Sequence, residues 1–169
     1  MWPTIFSINR VLSILLTGIV IKIMDDYLDQ DIDAILGSPG SLFMNHYGSL
    51  PYALLIFSLA CTLDIETSAS LFLASFSVGM AGNFTAGMPS GLYGYQESLG
   101  SLLFGFLFFG GRCIISSLCI IITIQLLDDW IDYERDWALK NNWGVILGKV
   151  ESLLLAVIFF LVAIYFDLL

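Results

Sequence analysis

The sequence predicts an all-α, multi-pass membrane bundle of about six transmembrane segments, with two aspartate-rich helix ends facing one side of the membrane. Three observations carry that expectation. Apolar runs such as Ile114 to Leu127 and Leu153 to Phe166 read as bilayer spans rather than as the cores of several soluble domains. Charged residues make up 12% of the 169 residues, against about twice that fraction in an ordinary soluble domain, and the mean hydropathy is +0.89. Finally, the acids that are present gather into two copies of one pattern, each closing an apolar run. A single membrane-embedded domain over residues 1–169 is the expected organisation.

The first segment runs from roughly Ile5 to Met24, where Arg10 suits a tilted entry or a snorkelling side chain. Residues Ala34 to Ser49 supply Gly37, Pro39, Gly40 and Gly48, a flexible connection in which His46 reads as a loop or interfacial residue. Segments two and three cover Leu50 to Leu63 and Ser68 to about Phe84, with a turn over Thr62 to Thr67 and Thr67 or Ser68 as the helix cap. Gly87, Pro89 and Gly91 break the pattern again before Ser101 to Phe109. Glu97 precedes that fourth segment as either a headgroup-level anchor or a polar site residue. Gly110-Gly111-Arg112 separates it from segment five, Cys113 to Leu127. A continuous helix there would put the two acidic patterns on opposite membrane faces, so a break is expected. The last apolar stretch follows Lys149 and Glu151 and extends to Leu169.

The first acidic pattern is Asp25-Asp26-Tyr27, Asp29 and Asp33; the second is Asp128-Asp129-Trp130, Asp132 and Asp136, displaced by 103 positions from Asp25 to Asp128. The same shift pairs Ser13 with Ser116. In a helix, Asp25, Asp29 and Asp33 are successive i, i+4 neighbours, a spacing at which like charges repel. Such columns hold hard divalent cations well, since Mg2+ shares its oxygen ligands among carboxylates, water and phosphate. A bland reading stands beside this one: each group caps the end of a membrane helix and sits in water. It explains one or two acids per end, but less well four matched positions in two copies.

The net charge of -9 argues against a nucleic-acid partner, and it implies that any diphosphate ligand would arrive with divalent cations. Cys61, Cys113 and Cys119 lack metal-ligand spacing and read as packing residues or free thiols. Lys22, Arg135, Lys140 and Lys149 flank the acidic ends while Arg112 lies at the other boundary, which places the acidic ends in the cytoplasm.

Together these residues resemble the UbiA-type intramembrane prenyltransferases. In that family a first motif reads Asn-x-x-x-Asp-x-x-x-Asp and a second supplies another Asp-x-x-x-Asp. Asp29 and Asp33 match the first, with Asp25 where asparagine is usual, and Asp132 and Asp136 match the second. Family members have about nine membrane helices, whereas this chain has room for roughly six. The basic residues that usually follow the first motif are missing from Ala34 to Ser49. The resemblance implies Mg2+-dependent transfer of a prenyl group from a prenyl diphosphate to a lipophilic acceptor. Asp26, Asp29, Asp33, Asp129, Asp132 and Asp136 would be the metal ligands and Asp25 and Asp128 the candidate bases. Lys22, Tyr27, Trp130, Arg135 and Lys140 would contact substrate, Tyr27 and Trp130 through their ring faces if they are not simply interfacial belt residues. Six segments make a thin wall around a long tail, so a homodimer or a second membrane subunit is the expected means of closing the cavity. The alternatives are another metal-dependent lipid-phosphate enzyme, a non-catalytic membrane subunit or a divalent-cation transporter.

Overall fold

The computed structural model describes residues 8–28, 49–81, 85–131, 133 and 143–168, and the regular elements among them are helices. They are α1 (Ile8–Leu28), α2 (Ser49–Leu63), α3 (Ile65–Ala81), α4 (Gly94–Phe109), α5 (Gly111–Ile131), α6 (Trp143–Leu147) and α7 (Lys149–Leu168). The chain divides into two compact units, Met1–Phe72 and Leu73–Leu169, with the boundary inside α3.

In the first unit α1 packs along α2. The buried stripe of α1 is Ser13, Thr17, Val20 and Ile23, at the three- and four-residue spacing of one helix face. It meets Ala53 of α2, with Met24, Ile56, Phe57 and Phe72 closing the cluster. Asp64 is the one residue between α2 and α3. Its N–H donates the last bond of α2, to the Ala60 carbonyl, and its own carbonyl accepts the first bond of α3, from the Ser68 N–H, both at 3.1 Å, so the two helices meet at this residue. The chain nevertheless folds sharply there. Phe57 and Phe72 would lie about 22 Å apart along a straight helix, yet their ring centroids are 4.8 Å apart. Asp64 is also the cap: Oδ1 accepts the Thr67 N–H at 3.1 Å and Oδ2 the Thr67 hydroxyl at 2.9 Å. The expected cap at Thr67 or Ser68 is therefore displaced to Asp64, because a carboxylate can accept both donors of Thr67 at once.

In the second unit α5 packs along α7, and Gly105 of α4 lies against Ile114 of α5. These two residues are nine positions apart, about 13 Å in a continuous helix, so their contact establishes a turn. The turn is at Gly110, whose φ of 81° favours glycine. Between α3 and α4, residues 86–94 form a small hairpin closed by Met88 N–H to the Leu92 carbonyl at 2.8 Å and Gly94 N–H to the Ala86 carbonyl at 3.1 Å. Ser90 donates to the Glu97 carboxylate, which ties Glu97 to this hairpin.

The interior is built from small and hydroxylated residues. Among the residues sealed most completely are Thr17, Ser13, Ser68, Ser70 and Ser152, alongside Ile114, while Leu107, Phe108, Leu154 and Leu161 are exposed. Several buried hydroxyls bond across helices: Ser13 to Ser68 at 2.6 Å, Ser116 to the Ala163 carbonyl at 3.1 Å, and Ser98 to the Ser77 carbonyl at 3.1 Å.

Six spans were expected, and the bundle is narrower than that. Among the described residues only α5, over Gly111–Ile131, and α7, over Lys149–Phe166, are both long and apolar enough to cross a membrane. Helices α2, α3 and α4 have 15, 17 and 16 residues. At 1.5 Å per residue they extend about 22 to 26 Å, short of a hydrocarbon core of roughly 30 Å. α1 has the length, at 21 residues, but Arg10, Lys22, Asp25 and Asp26 put at least three charges into any 18-residue stretch of it.

Candidate functional site

The two acidic ends sit on equivalent helices. Shifting α1 by 103 positions reproduces the bounds of α5, Gly111–Ile131. The same shift carries Ser13 to Ser116, Val20 to Thr123 and Ile23 to Leu126, and all six are buried. It then continues, without a gap, into the partner helices: Ala53 and Ala60 of α2 correspond to Ala156 and Ala163 of α7, each at most 2% exposed. The repeated object is thus a helix pair, joined by small residues that let the backbones approach closely, and the acids mark the same end of its first helix. Sequence reading found the acids and the serine pair but not the alanines, which carry no signal of their own in an apolar run.

At the first end, Asp25 and Tyr27 are exposed on the last turns of α1. Lys22 Nζ lies 3.5 Å from Asp25 Oδ2, with 69% and 63% of the two side chains in contact with solvent, so the pair adds little stability. Asp26 falls within α1. Asp29 and Asp33 lie outside the described residues.

Asp128 is exposed and Asp129 half-buried, at the close of α5. Asp129 Oδ2 accepts the backbone N–H of Trp143 at 3.0 Å, which fastens the start of α6 to the end of α5. Lys149, the first residue of α7, places Nζ 5.8 Å from the centroid of Trp130 and 5.5 Å from that of Tyr133. Trp130 thus faces a cation that belongs to the chain itself. The ring face beneath the ammonium is thereby occupied, and the opposite face is the one that could meet a second positive centre. Asp132, Arg135, Asp136 and Lys140 lie outside the described residues.

No family model matches the chain, and comparison with curated proteins and with solved structures likewise gave no match.

The resemblance to the intramembrane prenyltransferases therefore stands on the paired acidic motifs alone. Among the described residues no group of three or more His, Cys, Asp or Glu side chains is gathered where it could hold a metal ion. Asp25, Asp128 and Asp129 offer the oxygen donors that a hard cation prefers. Of the other five acids of the two patterns, Asp26 falls within α1, and Asp29, Asp33, Asp132 and Asp136 fall on residues that are not described.

Proposed function

We propose that the chain is a membrane-embedded enzyme that transfers a prenyl group from a prenyl diphosphate to a lipophilic acceptor, with Mg2+ as the cofactor. The observation that supports this most is the repeat: one shift relates two helix pairs, their buried small residues and their acidic ends. A helix cap that merely met water would need no such matched partner.

The pattern of burial supports a membrane setting. Large apolar side chains on α4 and α7 point outwards while Ser, Thr and Ala fill the contacts between helices, as expected where the surrounding medium is itself apolar and close packing drives association. On this reading the shorter helices cross by local thinning of the bilayer or with the help of a partner subunit.

Asp26, Asp29, Asp33, Asp129, Asp132 and Asp136 would hold the cations, which neutralise charge on the diphosphate when bound. Lys22, Arg135 and Lys140 would face its phosphates, and the isoprenoid tail would lie among apolar side chains. In the reaction the carbon–oxygen bond of the donor breaks with its electron pair leaving on the diphosphate, and the acceptor supplies the pair for the new bond to the prenyl carbon. The acceptor then loses one proton, for which Asp25 and Asp128 are the candidate bases. Transport of a divalent cation is the less favoured reading, because neither α5 between Arg112 and Asp128 nor α7 between Glu151 and Asp167 carries an acid in its apolar length.

The test is incubation of the full chain, in native membranes and after detergent purification, with radiolabelled prenyl diphosphates, Mg2+ and a lipid extract. Label should move to the lipid fraction, and Asp29→Asn or Asp132→Asn should reduce the rate at least 100-fold, the order expected when a bound metal's charge stabilisation is lost. If correctly folded protein in native membranes neither transfers label nor binds the donor, the chain is a structural or transport subunit.

A further inference from the structure

We infer that Lys149 is the residue that recognises the diphosphate group at the second acidic helix end, held in place by Trp130 and Tyr133. The inference rests on the prenyl diphosphate reading and supplies what that reading lacks, a fixed basic group.

Three features of the second unit assemble this corner. Gly148, the single residue between α6 and α7, has a φ of 108°, and a Cβ there would run into the Glu151 carboxylate. Only glycine suits the joint, and the joint determines where α7 begins and hence where Lys149 leaves the backbone. Trp130, in the last turn of α5, and Tyr133, two residues past its end, then lie within 6 Å of its ammonium. The bond from Trp143 N–H to Asp129 anchors the other end of α6, so the short helix is tied to α5 at its start and leads into α7 at its close. Lys149 is half-buried as a result.

Such a lysine differs from an ordinary surface lysine in the way that matters for binding. A free side chain loses rotamer freedom when it grips a phosphate, whereas rings on its flank have already removed much of that freedom. The ammonium keeps its charge and its N–H donors suit phosphate oxygens. Lys22 at the first end shows the contrast, since 69% of its side chain is in contact with solvent. On this reading headgroup recognition falls to the second end.

The experiment is calorimetric titration of the detergent-purified full chain, in Mg2+, with inorganic pyrophosphate and separately with a short-chain prenyl diphosphate. Wild type, Lys149→Gln, Lys149→Arg and Trp130→Leu would be compared, each checked for its melting temperature and its affinity for Mg2+ alone. Lys149→Gln should weaken both ligands by the same factor, about 10- to 100-fold, the worth of one hydrogen bond to a charged group. Lys149→Arg should stay within roughly threefold, since arginine keeps the charge and stacks on rings. Trp130→Leu should fall between them, and Mg2+ affinity without ligand should not weaken in any variant. Equal binding by wild type and Lys149→Gln would overturn the role of Lys149 and leave the enzyme reading intact. A lowered melting temperature with unchanged ligand affinity would make Lys149 a structural charge and overturn the inference as well. If wild type binds neither ligand, the reading beneath it falls too.

Discussion

Gly105 has no room for a side chain. A Cβ at this position would press into Cγ1 and Cδ1 of Ile114, a fully buried side chain, whereas one at Gly100 in the same helix would meet nothing within 4 Å. The two glycines therefore predict opposite responses to one methyl group. Gly105→Ala should lower stability by about 1–3 kcal/mol through overpacking. Gly100→Ala should raise it by up to about 1 kcal/mol through helix propensity. Denaturation of the purified protein in a mixed-micelle series measures both, and matched changes of the same sign would mean that α4 does not rest on α5 through Gly105. The hydroxyls follow the same logic at other contacts: Ser116 and Thr123 reach carbonyls of α7 at 3.1 and 3.4 Å, bonds that are available only because Ala163 and Ala156 leave the backbone open.

Among the elements, the joint between α2 and α3 depends most on one side chain. Asp64 accepts two hydrogen bonds from Thr67 and its carbonyl receives bonds from Ser68 and Ser13, so it caps α3 and links the joint to α1. Asp64→Ala should cost about 0.5–2 kcal/mol, and Asp64→Asn, which keeps an acceptor for the Thr67 N–H, only a few tenths. Equal losses in the two variants would show that charge rather than capping matters here. The sequence made this element scale partly legible. Breakers at Gly110 and at Gly87 to Gly91, and the short polar run around Asp64, marked where helices end, because turn chemistry is local. The faces of the helices were not legible. Amphipathic contrast vanishes when the outside is as apolar as the inside, and Ala53, Ala60, Ala156 and Ala163 look like any other residues of an apolar run until their burial is known. The contact of Lys149 with Trp130 and Tyr133 was not legible for a related reason: the two rings lie 19 and 16 positions earlier, and the turn at Gly148 brings them near.

At the scale of the whole molecule the question is whether the two repeated helix pairs present their acids to one compartment. A repeat shifted along the chain gives two half-sites, and chemistry on a single diphosphate requires both on the same side of the bilayer. Four helices, α2 to α5, come between the end of α1 and the end of α5. If α2, α3, α4 and α5 each cross, the number of crossings is even and the second acidic end shares the face of the first. Arg112 begins α5 and Asp128 lies near its other end, sixteen residues or about 24 Å away, which puts them at opposite boundaries if α5 spans. Single cysteines at Gln30, Arg112 and Tyr133, in a chain with Cys61, Cys113 and Cys119 replaced, should therefore react with an impermeant thiol reagent in a fixed pattern. Gln30 and Tyr133 should label from one side, the cytoplasmic side by the distribution of Lys and Arg, and Arg112 from the other. Labelling of Gln30 and Tyr133 from opposite sides would mean an odd number of crossings. The short helices α2, α3 and α4 would be where the count fails, and one diphosphate could not then engage both acidic ends.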